Sequence, residues 1–331
     1  MEIKEVIGID ASKLMLDCRV HTKGTQDVFD NDLGGIAQMV DWALETSGTA
    51  KENLLFVFEY TGLYTHHLVR YLYGNGFLLH VVPGLEIKRS LGIARGKDDK
   101  ADAERIAVYG YRKREEIEPF QMAGESLERI KRFMSMRIKL VAQKAGHMAT
   151  LGEQRRVLDV RTEQVLFRVQ EELIEVLGQQ IAAIEREMDD VVAANPRLKE
   201  LMRLLTSITG IGKVTARFII AYTAGFTAFD QWRKFASYIG IAPYPYRSGT
   251  SIKGRTKVSH LARKEGKVLI HMCALTAIQY SPEMRAYYER RLKEGKNKMS
   301  TLNIIRNKLL ARVFAVAKRG TPYVDIMRYA A

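Results

Sequence analysis

Cysteine is nearly absent from this chain: Cys18 and Cys273 are the only two in 331 residues. A pair so far apart makes no disulfide framework and no zinc-ligand spacing, which points to a reducing compartment. Long apolar runs are missing as well. None approaches the ~20 residues that a membrane helix needs, and the amino end lacks the basic, apolar, small-residue order of a secretion signal. There is no internal repeat and no low-complexity tract. The expectation is a cytoplasmic protein. Acidic residues are scarce in one place. From Gln231 to Ala331 there are 21 Lys/Arg against 5 Asp/Glu, a net of +16, while the whole chain carries +14. All the excess positive charge therefore lies in the last third. Such a surface suits a polyanion; the bland alternative is a solvated basic face.

What is present excludes disorder, since 47% of residues are hydrophobic and the chain is long enough for two or three cores. The first ~110 residues alternate between the two periods of regular structure. Strands are predicted at Val6 to Asp10, Met15 to Val20 and Gln26 to Phe29. A helix over Leu33 to Leu44 follows, then a buried strand from Leu54 to Glu59. Tyr64 to Tyr73 reads as a helix stopped at Gly74-Asn75-Gly76, and Phe77 to Val82 as a fifth strand closed by Pro83-Gly84. Three strands, helix, strand, helix, strand, helix is a mixed sheet with helical cover. From about Glu125 to Ala194 the pattern is helical and charged. Leu173, Leu177, Ile181, Ile184, Met188 and Val191 make a coiled-coil-like seam. It suits either an intramolecular hairpin or an oligomer contact. Gly146, Gly152 and the Arg155-Arg156 stretch are expected to interrupt the helix, and Asn195-Pro196 to end the segment. The boundaries expected are 1–124, 125–196 and 197–331. The last segment is mostly helical, with a polar Gly-rich loop from Tyr246 to Arg255.

Four acids carry the chemistry. Asp10 ends the first strand and Glu59 the fourth, while Asp99 and Asp102 stand three apart on a helix-like stretch. Carboxylates in such number suit a hard cation such as Mg²⁺, and a pair of ions would clamp both reacting oxygens of a phosphodiester. Acids that directly follow apolar strands are costly to bury unless paired or metal-bound. Asp98 and Asp102 would share a helix face as well as Asp99 and Asp102 do, so spacing leaves that choice open. N-capping is the ordinary role of acids there. Gly210-Ile211-Gly212-Lys213 would expose backbone N–H groups at a helix start, a phosphate-binding arrangement. Ser248 sits among Arg247, Lys253, Arg255 and Lys257. Clustered cations stabilise a pentacoordinate phosphoryl transition state, whereas a serine before a glycine is ordinarily a turn residue. Tyr238, Tyr244 and Tyr246 suit either base stacking or core packing.

The arrangement of acids resembles that of ribonuclease-H-like proteins, and the whole chain resembles the DEDD-type transposases of bacterial insertion sequences, relatives of the pilin-gene invertases. Four stretches carry this: Ile7-Gly8-Ile9-Asp10 with Ser12-Lys13; Glu59-Tyr60-Thr61-Gly62-Leu63-Tyr64; Lys97-Asp98-Asp99-Lys100-Ala101-Asp102-Ala103; and Gly240-Ile241-Ala242-Pro243 with Ser248-Gly249 and Lys253-Gly254. The third stretch favours Asp99 over Asp98. Two departures are Thr209, where the family commonly has proline, and Lys253-Gly254, where it often has Arg-Gly. Lysine keeps the charge but loses the bidentate fork.

The resemblance implies a RuvC-like first domain holding Mg²⁺, or Mn²⁺, through Asp10, Glu59, Asp99 and Asp102. It implies Ser248 as a nucleophile that forms a covalent link to DNA; the contacts to nucleic acid expected from Arg247, Lys253, Arg255, Lys257, Gly210, Gly212 and Lys213 rest on the clustered charge and the turn themselves. It further implies a homo-oligomer, dimer or tetramer, with a site shared between protomers, and a bridge RNA that pairs with target and donor DNA. The protein would be bacterial, cytoplasmic and nucleoid-associated. Two other readings stand beside it: a junction-resolvase-like metal nuclease with no covalent intermediate, and a non-catalytic binder on a decayed nuclease fold.

Overall fold

A computed structural model describes residues 2–90, 99–118, 120–248 and 252–325. They form two compact units, Met1–Met122 and Ala123–Ala331. No described helix is long and apolar enough to cross a membrane.

The first unit runs β1 (Glu5–Ala11), β2 (Met15–Val20), β3 (Gln26–Asp30), α1 (Leu33–Ser47), β4 (Leu54–Glu59), α2 (His66–Gly74), β5 (Leu78–Val82), α3 (Gly84–Ser90) and α4 (Asp99–Lys113). The sheet order is β3-β2-β1-β4-β5. β1 pairs antiparallel with β2, as β2 does with β3, and parallel with β4, as β4 does with β5. The mixed sheet expected from the alternation is therefore present. Residues 62–65 form a short 3-10 turn before α2, so the helix expected from Tyr64 starts at His66. α1 begins where Asp32 accepts a hydrogen bond from the Gly35 N–H at 2.8 Å, and it ends at Gly48, whose φ of 62° is left-handed.

Alternation along the strands divides the core in two. Ile7, Ile9, Leu16, Cys18, Phe56 and Phe58 are buried with Ile36, Met39 and Leu72 of α1 and α2. On the other face Val6, Leu55 and Val57 are buried with Ile106 and Tyr109 of α4. Each such side chain contributes about 1.5–3 kcal/mol when removed from water. Both faces are covered, which accounts for the continuous apolar runs of β1 and β4.

The second unit opens with two long helices, α5 (Glu125–Val157) and α6 (Gln164–Ala193). Arg129 pairs with Glu187 at 2.9 Å, Arg137 with Glu185 at 2.6 Å, and Arg155 with Glu171. Falling partner numbers along a rising series make this an antiparallel hairpin, so the seam packs within the chain. α5 is unbroken through Gly146 and Gly152, contrary to expectation. A glycine costs a helix interior about 1 kcal/mol relative to alanine, too little to break a helix supported along its length by a neighbour. Near the free end Leu151 and Phe167 are buried, whereas Leu173, expected in the seam, is 42% exposed and lies off the interface. Asn195 and Pro196 end α6 and at once start α7 (Pro196–Thr206), whose first turn Asn195 caps by accepting from the Leu198 N–H at 3.1 Å.

Next come α8 (Lys213–Tyr222), α9 (Trp232–Tyr238), β6 (Pro243–Ser248), β7 (Ile252–Val258), α10 (Lys264–Tyr280), α11 (Pro282–Lys293) and α12 (Lys298–Arg319). Their core is built on Leu205, Phe218, Phe235, Ile270, Ile305 and Leu309, and Ile130, Met134, Met188 and Val191 from the base of the α5–α6 hairpin join it. The segment read as a loop, Tyr246 to Arg255, lies mostly in the antiparallel pair β6–β7. Its polar and glycine content hid the strands. They form a two-stranded ribbon whose prolines and glycine break any regular alternation.

Candidate functional site

Gly8 decides where the acids stand. A β-carbon there would strike the Ala103 carbonyl and the Ala107 N–H, so α4 lies directly on the β1 backbone. Further along, Gly110 of α4 lies within van der Waals reach of Val6 and Val57. Later helix residues thus meet earlier strand residues, and α4 runs antiparallel to β1. Its first turn, with Asp99 and Asp102, is directed toward the end of β1 that carries Asp10.

Asp10 shares its face of β1 with Val6 and Gly8, the face covered by α4. Glu59 shares the same face of β4 with Leu55 and Val57. The two acids stand one register step beyond Ile9 and Phe58, which are partners, on strands about 4.8 Å apart. Both are half-buried. The Glu59 carboxylate lies against Gly84, where any β-carbon would collide with it. Asp102 accepts from Arg105 Nη1 at 2.6 Å. Asp99 is the first residue of α4, and Asp98 lies outside the described residues.

Among the described residues no three His, Cys, Asp or Glu side chains converge closely enough to hold a metal. The donor set is nonetheless all carboxylate oxygen, which suits a hard cation. Any ion bound through Asp102 must compete with Arg105 for it.

Sequence reasoning missed two residues here. Asp17 is the cross-strand partner of Asp10 and faces the same way. The alternation of Leu16, Cys18 and Val20 with Asp17 and Arg19 was the available signal. Arg19, on that face, reaches Glu104 of α4 at 3.3 Å. The second is Asn31. Its Nδ2 donates to the Ser12 carbonyl at 2.8 Å and to the Tyr64 carbonyl at 2.9 Å, tying together the segments that follow Asp10 and Glu59. Nothing in the spacing announces that brace.

The second unit carries Ser248 at the end of β6, in register with Ile252. Arg247 stands opposite Lys253 and Tyr244 opposite Lys257, with Arg255 also on β7. The four expected cations thus belong to one ribbon. Its base is pinned from α12: Asn303 and Asn307 both donate to the Ile241 carbonyl, at 3.0 and 3.1 Å. Next to them Arg306 is almost wholly buried and donates to His271 Nδ1 at 2.6 Å. Burial holds the His271 pKa below its ordinary value, and the guanidinium lowers it further.

The Gly-x-Gly turn is tightly packed at its first glycine only. Gly210 has φ 98° and sits against the Cys273 carbonyl of α10. Gly212 precedes α8 with open space beside it. Lys213 lies 3.7 Å from Asp189, which also holds the buried Arg217.

Two family models match the sequence. One, described as a transposase of the DEDD type named for IS110, covers residues 7–158. The other, described as the transposase of the IS116/IS110/IS902 family, covers residues 202–289. The chain is similar along nearly its whole length to the pilin gene-inverting protein of Moraxella lacunata, 26% identical over 97% of this chain and 98% of that one. The protein of the same description from Moraxella bovis matches to the same extent. An uncharacterized 43.6 kDa protein of insertion element IS110 from Streptomyces coelicolor is 30% identical over 45% of this chain and 36% of its own.

Proposed function

We propose that this chain, an IS110-family transposase and so an enzyme that cuts and rejoins DNA, works through two sets of residues on its two units. The observation that carries the proposal is the contact of α4 with Gly8. It directs Asp102 and Asp99 toward the sheet end that holds Asp10 and Glu59, as a RuvC-like arrangement requires. Asp10, Glu59, Asp99 and Asp102 would hold Mg²⁺, which when bound supplies positive charge against the reacting phosphate.

In the second unit Ser248 is the nucleophile. Its oxygen forms a bond to a DNA phosphorus and gives up its proton. The phosphorus–oxygen bond to the neighbouring deoxyribose breaks, and that sugar leaves as a hydroxyl once protonated. Attack by a sugar hydroxyl on the phosphoserine reverses the step and joins a new strand. The phosphodiester count is unchanged, so no outside energy source is needed. Arg247, Lys253, Arg255 and Lys257 hold phosphates near Ser248, and charge of this density makes binding salt-dependent. Gly210, Gly212 and Lys213 give a further phosphate contact. Acids and serine lie on different units, which suits a site completed between protomers of a dimer or tetramer. A bridge RNA pairing with target and donor DNA is the remaining part of the proposal, supported by the basic last third.

Trapping a covalent adduct tests this. Purified protein, the RNA flanking its gene and Mg²⁺ are incubated with labelled DNA spanning the element's junction and run under denaturing conditions. An adduct that disappears in both Ser248→Ala and Asp10→Ala is expected. Cleavage without an adduct, insensitive to Ser248→Ala, would overturn the serine step and leave a junction-resolvase-like nuclease.

A further inference from the structure

An open cavity of about 790 Å³ lies at the base of the β6–β7 ribbon. Six of its lining residues matter: Ser237, Tyr238, Tyr244, Pro245, Lys257 and Ser259. Tyr238 is held by core rings, with Phe229 at 5.4 Å and Phe235 at 5.8 Å. Tyr244 is 48% exposed, yet its hydroxyl is hydrogen-bonded to Ser237. It is an exposed aromatic ring tied at its tip and so kept in one place. Lys257 stands directly across from it in the ribbon. Among the described residues no carboxylate lines the cavity, and Glu265, the acid nearest in sequence, is engaged by Arg263 at 3.8 Å.

Flat aromatic walls, one lysine and no acid match one ligand class, while the two serine hydroxyls are already engaged, Ser237 with Tyr244 and Ser259 with the Leu261 backbone. Aromatic faces stack on bases whatever their identity, and an ammonium meets the phosphate as a point charge. We propose that this cavity receives a single unstacked nucleobase of the bound nucleic acid, its phosphate on Lys257. The assignment rests on β6 being the strand that carries the nucleophile. Tyr244 lies four residues before Ser248, roughly 13 Å along a strand. A base drawn in there sits about four stacked steps from the phosphate at Ser248, so the cavity would set which phosphate is presented. Taking a base out of the stack is a known route to a buried reacting group.

The test uses the full-length chain and fluorescence anisotropy with single strands of about twenty nucleotides, longer than one binding site. Three are compared: thymidine, uridine, and an abasic strand of the same phosphate count. Tyr244→Ala is expected to weaken thymidine or uridine binding about tenfold, within the range for one stacked base, and to leave the abasic strand unchanged. Whichever strand responds identifies DNA or RNA as the source of the base. Tyr244→Phe keeps the ring but loses its tie to Ser237, so it should keep most of the preference for base-bearing strands that Tyr244→Ala loses, which separates stacking from damage to the fold. Lys257→Ala should weaken all three strands. Equal affinity of the parent chain for base-bearing and abasic strands would overturn the assignment. So would a Tyr244→Ala variant that changes oligomeric state but not binding, since the cavity would then be a contact between copies. Adduct formation is scored separately. A chain that distinguishes base from abasic strand but forms no serine adduct keeps the cavity and loses the nucleophile, and the converse result does the reverse.

Discussion

Asn31 donates one amide proton to the carbonyl of Tyr64 at 2.9 Å and the other to that of Ser12 at 2.8 Å. One short side chain after β3 thus joins the segments leaving β1 and β4, two and five residues beyond Asp10 and Glu59. Both acids owe their relative position to strand pairing below and to this amide beyond the strand ends.

Replacing Asn31 with alanine removes both bonds and leaves two carbonyls to water. Each bond is worth about 0.5–1.5 kcal/mol net, so a loss of about 1–3 kcal/mol is expected in urea unfolding. If the acids hold Mg²⁺ as proposed, the metal concentration needed for DNA cleavage should rise as they lose their common frame. An unchanged Mg²⁺ titration midpoint in Asn31→Ala would contradict the positioning role.

Substituting Gly8 should be costly out of proportion to its size. The atoms a β-carbon would meet belong to the backbone of Ala103 and Ala107, so trimming those side chains relieves nothing. Gly8→Ala is expected to destabilise the first unit by about 1–3 kcal/mol, the usual range for overpacking. It should displace α4 and reduce cleavage. Equilibrium unfolding and the cleavage rate, measured on the same preparation, check both.

Arg105 and Asp102 form a partly exposed pair at 2.6 Å. Such pairs contribute about 0–1 kcal/mol, so Arg105→Ala should leave the unfolding midpoint nearly unchanged. If Asp102 is a metal ligand as proposed, removing the competitor for its carboxylate should tighten Mn²⁺ binding, read by titration calorimetry. Weaker binding in this variant would mean that Arg105 positions Asp102 for the ion.

The pair Arg306 and His271 makes stability depend on pH. Arg306 donates to His271 Nδ1, which requires the neutral ring, and the folded-state pKa lies below the ordinary value. A lowered histidine pKa means that the unfolded chain binds the proton more readily. The contribution is therefore complete above the unfolded pKa of about 6.5 and is lost as pH falls toward the lower folded value. Thermal unfolding between pH 5 and 7 should show the decline on acidification, and His271→Gln should flatten it.

The strands of the first unit are legible in the sequence because they are buried on both faces. A continuous apolar run such as Leu54 to Phe58 is too short for a helix and suits a covered strand. The acids Asp10 and Glu59 stand out for the same reason: each breaks such a run at its end. Asp17 does not stand out, because an acid on an alternating strand looks solvated until the partner strand and α4 are placed against it. The β6–β7 ribbon is hidden by its prolines and glycine, which read as turn signals. The helix through Gly146 and Gly152 escapes a local reading because a cost of about 1 kcal/mol per glycine is decided by the partner helix and not by the chain itself.

By itself, then, the sequence determined the order of strands in the first unit and the helices between them, though not α3 (Gly84–Ser90), as well as the placing of carboxylates at strand ends and the basic last third. Those follow from local hydrophobic period and from where charge interrupts it. Tertiary structure alone decided that α4 lies antiparallel on Gly8, that Asn31 spans two loops, and that Tyr244 faces Lys257 across a ribbon. Each joins residues distant in sequence through a close approach or a hydrogen bond, and no short-range pattern encodes such a contact.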